Sequence, residues 1–405
     1  MFELAVNPKN ILIDYNSISS NCSDKDLRSV LKKILENRKG FVLFDNESTF
    51  SFNHEIKNYL IFDQFDLYEI IDYIDLFKSE NLDQYKTIMV TSDNRVIEVA
   101  RNFGISSIYI KDNEEDYNSL DFKNYPDLVM NILEFKNFIN DEKKGVHLYF
   151  ESYLNNSEYL CAPLYKNELD YYFDNNIKID LFLLGRYFRS NDLRSYSHLL
   201  TRAVLALKDQ RDGAYNLLSP FIKYIISDLN EGFDYDYITY VPPKIGKIDR
   251  FLRLFQENNK LISDKIKPNL LVCTKDYKSQ KECPTRREKA ENVRGAFKLN
   301  ETFEVKNKTI IIFDDVLTTG STALECANIL YSMGAKKVIL MPLGVTQDSN
   351  NSMPKIPQIS LNGVHYKLKF NSTSGQPFWL AGDGEYLDYK KGKKRYLKQN
   401  NADIL

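Results

Sequence analysis

Thr309-Ile310-Ile311-Ile312-Phe313-Asp314-Asp315-Val316-Leu317-Thr318-Thr319-Gly320-Ser321-Thr322 decides the reading of this chain. It opens as a short apolar and β-branched run, ends in two carboxylates, and continues as a small-residue loop into a helical pattern. An apolar run of this length reads as a strand buried on both faces of a parallel sheet. The loop's backbone N–H groups, the hydroxyls of Thr318, Thr319, Ser321 and Thr322, and the positive end of the following helix together suit a phosphate. Gly320 permits close backbone approach. Carboxylates repel a phosphate but accept hydrogen bonds from a sugar diol. A sugar bound beside its own phosphate uses every part of the segment.

Outward from this stretch the βα alternation continues. YDYITYVPP, a helix over 248–263, NLLVCTKD, the polar run YKSQKECPTRREKAENVRGAF, a helix over 321–333 and KKVILMPLG predict a parallel sheet from about 235. An earlier alternation predicts a second one: NILIDYN (10–16), a helix near 24–37, GFVLFDN (40–46), a helix near 67–79, TIMVTSD (87–93), a helix near 94–103 and SSIYIK (106–111). The acidic stretch KDNEEDYNSLDFKN (111–124) is the boundary candidate. Residues 125–230 read as mostly helical. The expected fold is therefore α/β, with two Rossmann-like parallel-sheet domains joined by a helical segment and a small C-terminal appendage. The expected divisions are 1–120, 121–190, 191–347 and 348–405.

The chain has 405 residues, 43% hydrophobic and 27% charged, which excludes disorder of the whole. Its 54 basic and 56 acidic residues give a net charge of -2, so any nucleic-acid or membrane partner must meet a local patch. No apolar run of roughly 18 residues and no signal-peptide pattern occurs, so no membrane partner and a cytoplasmic location are expected. Five scattered cysteines without a CxxC pair read as free thiols. The four histidines show no ligand spacing.

IIIFDDVLTTGST (310–322) resembles the PRPP-binding motif of type I phosphoribosyltransferases, PRPP being 5-phosphoribosyl 1-diphosphate. The resemblance implies that Asp314 and Asp315 hold the ribose 2′- and 3′-hydroxyls. It also implies that the loop after them, Val316, Leu317, Thr318, Thr319, Gly320, Ser321 and Thr322, wraps the 5′-phosphate, and that Mg2+ accompanies PRPP. YITYVPPK (237–244) looks like the strand and pyrophosphate loop, with Pro243 and Lys244. Gln280 with RREKAENVRGAF (286–297) looks like the hood-closing loop of the ComF-like branch, and LALK (205–208) like that branch's helix ending in Lys. Lys244 and Arg287 are the expected charge partners of the diphosphate, among Lys247, Lys275, Lys278 and Arg286. The branch's Arg three residues before Asn292 is Lys289 here, which keeps the charge but not the bidentate fork. Its Arg-Gly-Phe-Asn segment and zinc finger are missing.

Ile11-Leu12-Ile13-Asp14 and Ile88-Met89-Val90-Thr91-Ser92-Asp93 each end an apolar run in a carboxylate, and Asp45 follows a third. Carboxyl ends of parallel strands are where open α/β sheets bind ligands. This segment resembles the haloacid-dehalogenase-like (HAD) phosphatase fold, with Asp14 as nucleophile and Asp93 in the last motif. The family's second acid is Asn16 here, which cannot protonate a leaving group, so the domain is expected to be degenerate. At the other end, Phe378, Trp379 and Tyr386 beside Lys390, Lys391, Lys393, Lys394 and Arg395 suit single-stranded nucleic acid by stacking and charge, or else form a packed Trp with a solvated basic end.

The expected activity is transfer of a phosphoribosyl group from PRPP to a base or amine, or its release, in a setting that resembles bacterial stress and defence pairings. The alternatives are a non-catalytic PRPP or nucleotide sensor and a ComF-like DNA-uptake factor. The expected partners are PRPP or a nucleotide and, for oligomeric state, a second copy of the chain.

Overall fold

The amino-terminal alternation builds a sheet of six strands, all parallel: β1 (Asn10–Asp14), β2 (Lys39–Leu43), β3 (Tyr59–Phe62), β4 (Thr87–Thr91), β5 (Ser106–Ile110) and β6 (Leu128–Met130). Their order is β3-β2-β1-β4-β5-β6, a doubly wound arrangement whose direction reverses between β1 and β4. The computed structural model describes residues 9–37, 39–43, 59–62, 65–83, 86–111, 123–139, 150, 153, 165–189, 198–347, 358–370 and 377–400. Most of the expected boundary at 111–124, and Asp45, lie outside them. Every residue of β1, β4 and β5 is buried, as continuous apolar runs in parallel strands require.

Helices α1 (Tyr15–Ser19), α2 (Asp24–Asn37), α3 (Ile70–Ser79), α4 (Asn94–Phe103) and α5 (Ile132–Phe138) accompany this sheet. The helical reading that opens at residue 125 begins late, for a local reason. Asn131 accepts from the Glu134 N–H at 2.9 Å while the Glu134 carboxylate accepts from the Asn131 N–H at 2.8 Å, a capping box that starts α5 at Ile132. That frees Leu128–Met130 to extend the sheet as β6.

The chain divides into two compact units. The second sheet belongs to the unit that spans Val146–Asp348. Its elements are β7 (Tyr165–Tyr171), β8 (Asp174–Leu183), β9 (Arg186–Phe188), α6 (Leu199–Lys208), α7 (Asp212–Gly232), β10 (Tyr237–Tyr240), α8 (Arg250–Phe255), the small hairpin β11 (Gln256–Glu257) and β12 (Lys260–Leu261), β13 (Leu271–Cys273), α9 (Arg286–Val293), β14 (Phe297–Leu299), β15 (Thr309–Leu317), α10 (Ser321–Ser332) and β16 (Lys337–Gln347). The order is β10-β15-β16-β8-β7, with β9 also on β16. Within this sheet all pairings are parallel except β7 with β8, while β11–β12 and β13–β14 form separate antiparallel pairs.

Two expectations change here. The helical reading of 121–190 is overturned at 165–188, which forms strands. From Lys178 to Leu181 the burial alternates with period two, exposed Lys178, buried Ile179, half-buried Asp180, buried Leu181, as a strand with one covered face and one open face demands. The expected helix over 248–263 stops at Phe255, because Asn258 and Asn259 adopt positive φ (49° and 65°) in the β11–β12 turn.

The tail forms an antiparallel sheet, β17 (Gln358–Leu361), β18 (Val364–Phe370), β19 (Pro377–Ala381) and β20 (Tyr386–Leu387), followed by α11 (Tyr389–Asn400). It shares a core with the first sheet. Ile359, Tyr366, Leu368, Trp379 and Tyr389 pack in one apolar cluster with Leu12, Tyr73, Met89 and Phe103. Trp379 is fully buried and donates to the Tyr389 carbonyl at 3.2 Å, so its face is closed to a stacking base. Lys393 pairs with Asp75, and Tyr396 donates to Glu69 at 3.1 Å. Of the expected nucleic-acid surface, Tyr386, Lys390, Lys391, Lys394 and Arg395 remain exposed. Among the described residues no helix is long and apolar enough to cross a membrane.

Candidate active site

β15 and β10 end side by side, and their following loops make the site. Ile310, Ile311, Ile312 and Phe313 are wholly buried, so the strand is pinned in register by packing on both faces. The apolar run ends at Asp314 and Asp315, both half-buried. Asp315 N–H donates to Asp314 Oδ1 at 2.8 Å, and Val316 N–H to Asp315 Oδ1 at 2.7 Å. Each carboxylate therefore turns back on its own backbone. Burial, together with the Asp315 charge beside it, pushes the Asp314 carboxyl well above the usual carboxylate range.

Asp315 is balanced by two cations. Lys208 Nζ and Arg250 Nη2 each lie 3.5 Å from its Oδ2. Lys208 is the last residue of α6, where a cation complements the helix dipole. Arg250 is the first residue of α8, where a cation opposes it. Sequence reasoning did not single out Arg250. A cation at the unfavourable end of a helix, directly after the proline loop, is the signal that could have found it. Asp249 holds that turn: its Oδ1 caps α8 through Leu252 N–H at 2.8 Å, and its Oδ2 accepts from Tyr240 OH at 2.7 Å. Tyr240 in turn stacks on Phe251 and Phe255.

The phosphate-type loop follows. Gly320 has φ +75° and ψ 0° at the N-cap of α10, and a Cβ there would lie 3.0 Å from Leu317 Cδ1. The sequence therefore needs glycine for both backbone and space. Thr319 Oγ1 and Ser321 Oγ lie 3.1 Å apart, and Thr318 Oγ1 is 2.9 Å from Thr346 Oγ1 on β16. Thr322 Oγ1 meets Gln280 Nε2 at 3.4 Å. The loop is thus a hydroxyl-lined turn at a helix N-terminus, carried between two buried strands.

The other predicted cations go to different places. Lys244, after half-buried Pro243, donates to the carbonyls of Tyr277 and Lys278 at 2.8 and 2.9 Å and sits 4.2 Å from the Tyr277 ring centre. It ties the proline loop to the hood loop. Arg287 is exposed on α9 and paired with Glu291 at 2.9 Å, whereas Arg286 lines a cavity with Thr319 and Ser321. Asn292 bonds both the N–H and the carbonyl of Lys278, at 3.0 and 3.1 Å, closing the hood loop on itself. Lys247, Lys275 and Lys278 are exposed. We expect Lys244→Gln to speed amide exchange over 275–280 by about 5- to 10-fold, since it removes two charge-assisted bonds from an exposed loop. Unchanged exchange rates there would refute the tether.

At the first sheet, Asp14 ends β1 and is 1% exposed. Its Oδ2 accepts from Ser17 Oγ at 2.5 Å and Thr91 Oγ1 at 2.6 Å, and its Oδ1 caps α1 through Ser17 N–H at 3.2 Å. Burial raises its carboxyl above the usual range, while the Ser17 and Thr91 hydroxyls pull it back. Asn16 lies in α1. For Asp93, burial is outweighed by hydrogen bonds from Tyr68 OH and Arg95 and by the Arg95 charge, which hold it below the usual range. Three donors from its own neighbourhood thus hold the Asp14 carboxylate, and its Oδ1 serves as the helix cap.

No protein-family model matches the chain. A stretch of 67 residues, 16% of the chain, is 37% identical to orotate phosphoribosyltransferase of Helicobacter acinonychis (strain Sheeba). The chain spans about a third of the length of that curated relative, 33%. It therefore carries a type I phosphoribosyltransferase-like region within an α/β protein of two Rossmann-like domains.

Proposed function

We propose that the unit built on the second sheet binds PRPP and transfers its phosphoribosyl group to a base or amine, as a ComF-like member of the type I phosphoribosyltransferases. The observation that carries this reading is the juxtaposition, at the ends of β15 and β10, of an acidic pair, a hydroxyl-lined helix N-terminus and a cation-flanked proline loop. Asp314 and Asp315 would accept the ribose hydroxyls, residues 316–322 the 5′-phosphate, and the loop at Pro243 and Lys244 the diphosphate. Breaking the C1–O bond sends its electron pair onto pyrophosphate as C1 bonds to the acceptor nitrogen, which loses a proton. The positive charge that develops on the ribose ring is stabilised by the nearby carboxylates.

The donor set also fits magnesium that arrives with the substrate. Among the described residues no group of three or more acidic, histidine or cysteine side chains forms a cage, so the hard carboxylate oxygens of Asp314 and Asp315 would be the side chains that hold an ion brought by the diphosphate. Bound in this way, Mg2+ supplies neutralisation of the leaving group. We assign to the first sheet a HAD-like but non-catalytic role, supported by the sealed Asp14 and by Asn16 in the acid's place.

Titration calorimetry with magnesium and PRPP is expected to show one saturable site. A panel of bases and amines should then yield pyrophosphate with one of its members. If PRPP and pyrophosphate both fail to bind, the reading is wrong; if PRPP binds but no acceptor releases pyrophosphate, the non-catalytic sensor replaces the transferase.

A further inference from the structure

Beside the phosphate-type loop, on the flank of α10, lies a small open cavity whose lining comes from three elements distant in sequence. The β7–β8 turn brings Tyr171, Tyr172 and Phe173; α9 brings Arg286 and Ala290; and the loop with the first turns of α10 brings Thr319, Ser321 and Glu325. The one acid in it is already engaged. Glu325 is 4% exposed, its Oε1 accepting from Gly295 N–H at 2.8 Å and its Oε2 from Tyr171 OH at 2.5 Å.

The two arginines of α9 differ. Arg287 spends its guanidinium on Glu291, one helical turn on. Among the described residues Arg286 has no carboxylate within ion-pair reach, and its guanidinium stands 5.9 Å from the Tyr172 ring centre. A guanidinium over an aromatic ring keeps its planar edge of donors free for a second partner. Thr319 and Ser321, their hydroxyl oxygens 3.1 Å apart, line the same cavity. The cavity thus offers a cation and two hydroxyls, while both oxygens of its carboxylate are already taken up by hydrogen bonds from Gly295 N–H and Tyr171 OH. That combination recognises a dianionic phosphomonoester.

We propose that this cavity completes the phosphate loop, so that the ligand's terminal phosphomonoester is held between the loop hydroxyls and Arg286, with Tyr172 as the wall that keeps the guanidinium in place. The inference rests on the phosphoribosyl reading above. It assigns Arg286 to the 5′-phosphate end of the ligand, separate from the diphosphate end at Lys244. It also makes α9 part of the binding site: an occupied phosphate draws the hood helix onto α10, on which Gly295 and Glu325 already tie the segment after it.

Calorimetry on the full chain with two probes separates the ends of the site: ribose 5-phosphate, which carries only the phosphomonoester, and magnesium pyrophosphate, which carries only the diphosphate. Arg286→Gln should weaken ribose 5-phosphate by about 10- to 100-fold, the effect of one charge-assisted bidentate contact, and leave pyrophosphate affinity unchanged. Arg286→Lys should restore part of the loss, and Arg287→Gln should match wild type with ribose 5-phosphate. Equal losses in Arg286→Gln and Arg287→Gln would reduce the effect to general charge and overturn the assignment. So would a loss confined to pyrophosphate, or no loss at all. Wild-type protein that binds neither probe would overturn the phosphoribosyl reading itself, and this inference with it.

Discussion

Asp315→Asn should weaken magnesium–PRPP binding by about 10- to 100-fold, and Asp314→Asn should weaken it while making the free protein more stable at neutral pH. The first effect follows from the balance at Asp315, whose Oδ2 faces both Lys208 and Arg250 at 3.5 Å. Removing its charge deletes a charge-assisted acceptor for the sugar, worth about 1.5–3 kcal/mol, and leaves two cations uncompensated beside the ring that must become positive. The second effect has the opposite sign on stability because Asp314 is held above its unfolded pKa by burial and by Asp315. A carboxyl raised in the folded state costs nothing below its unfolded value, and its ionisation destabilises the fold as pH rises through the folded value. Asn cannot ionise, and its Oδ1 can still accept the Asp315 N–H that Asp314 accepts at 2.8 Å. The Asp314→Asn protein should therefore match wild type near pH 4 and exceed it by about 1–2 kcal/mol at pH 8.5. Thermal melts at the two pH values, with calorimetry alongside, measure both effects. A variant less stable than wild type at pH 8.5 would show that the ionised carboxylate is a structural asset rather than a cost accepted for function.

The acidic pair and its loop were legible because their chemistry is local. An apolar run, two carboxylates, hydroxyls and a glycine stand within fourteen consecutive residues; the strand runs on through both carboxylates to Leu317, so the loop narrows to Thr318–Gly320 before the helix starts at Ser321. The first sheet was legible for the same reason at β1, β2, β4 and β5, but β3 and β6, runs of four and three residues, were too short to stand out beside their neighbours. What local pattern could not carry was partnership. Lys244 stood out only as a cation after a proline loop, and nothing local showed that its ammonium also bonds two carbonyls 33 and 34 residues away. Arg286 and Arg287 are chemically identical in the sequence, and only the fold gives one of them a glutamate and the other a cavity. Arg250 went unnoticed because its value depends on Asp315, far along the chain.

The basic tail is the sharpest case, and one glycine in it tests the structural account. Gly392 sits within the lysine-rich α11, where glycine costs about 1 kcal/mol relative to alanine and so calls for a reason. The reason is Trp379: a Cβ on Gly392 would lie 2.1 Å from Trp379 Nε1, 2.2 Å from Cδ1 and 2.5 Å from Cε2. Those are ring atoms of a fully buried side chain that is already held by the Tyr389 carbonyl, so they cannot swing aside. In Gly392→Ala the helix must lift from β19, and the Tyr389–Asp75, Lys393–Asp75 and Tyr396–Glu69 contacts loosen with it. We expect a loss of about 3 kcal/mol, at the upper end of overpacking, with amides of β18, β19 and α11 losing most of their exchange protection. Gly382→Ala is the control, since a Cβ there meets nothing within 4 Å; removing a glycine's unfolded-state freedom should leave it neutral or about 0.5 kcal/mol more stable. If Gly392→Ala melts with wild type, Trp379 is not seated against α11, and the tail returns to being a solvated basic arm with an aromatic face open to stacking.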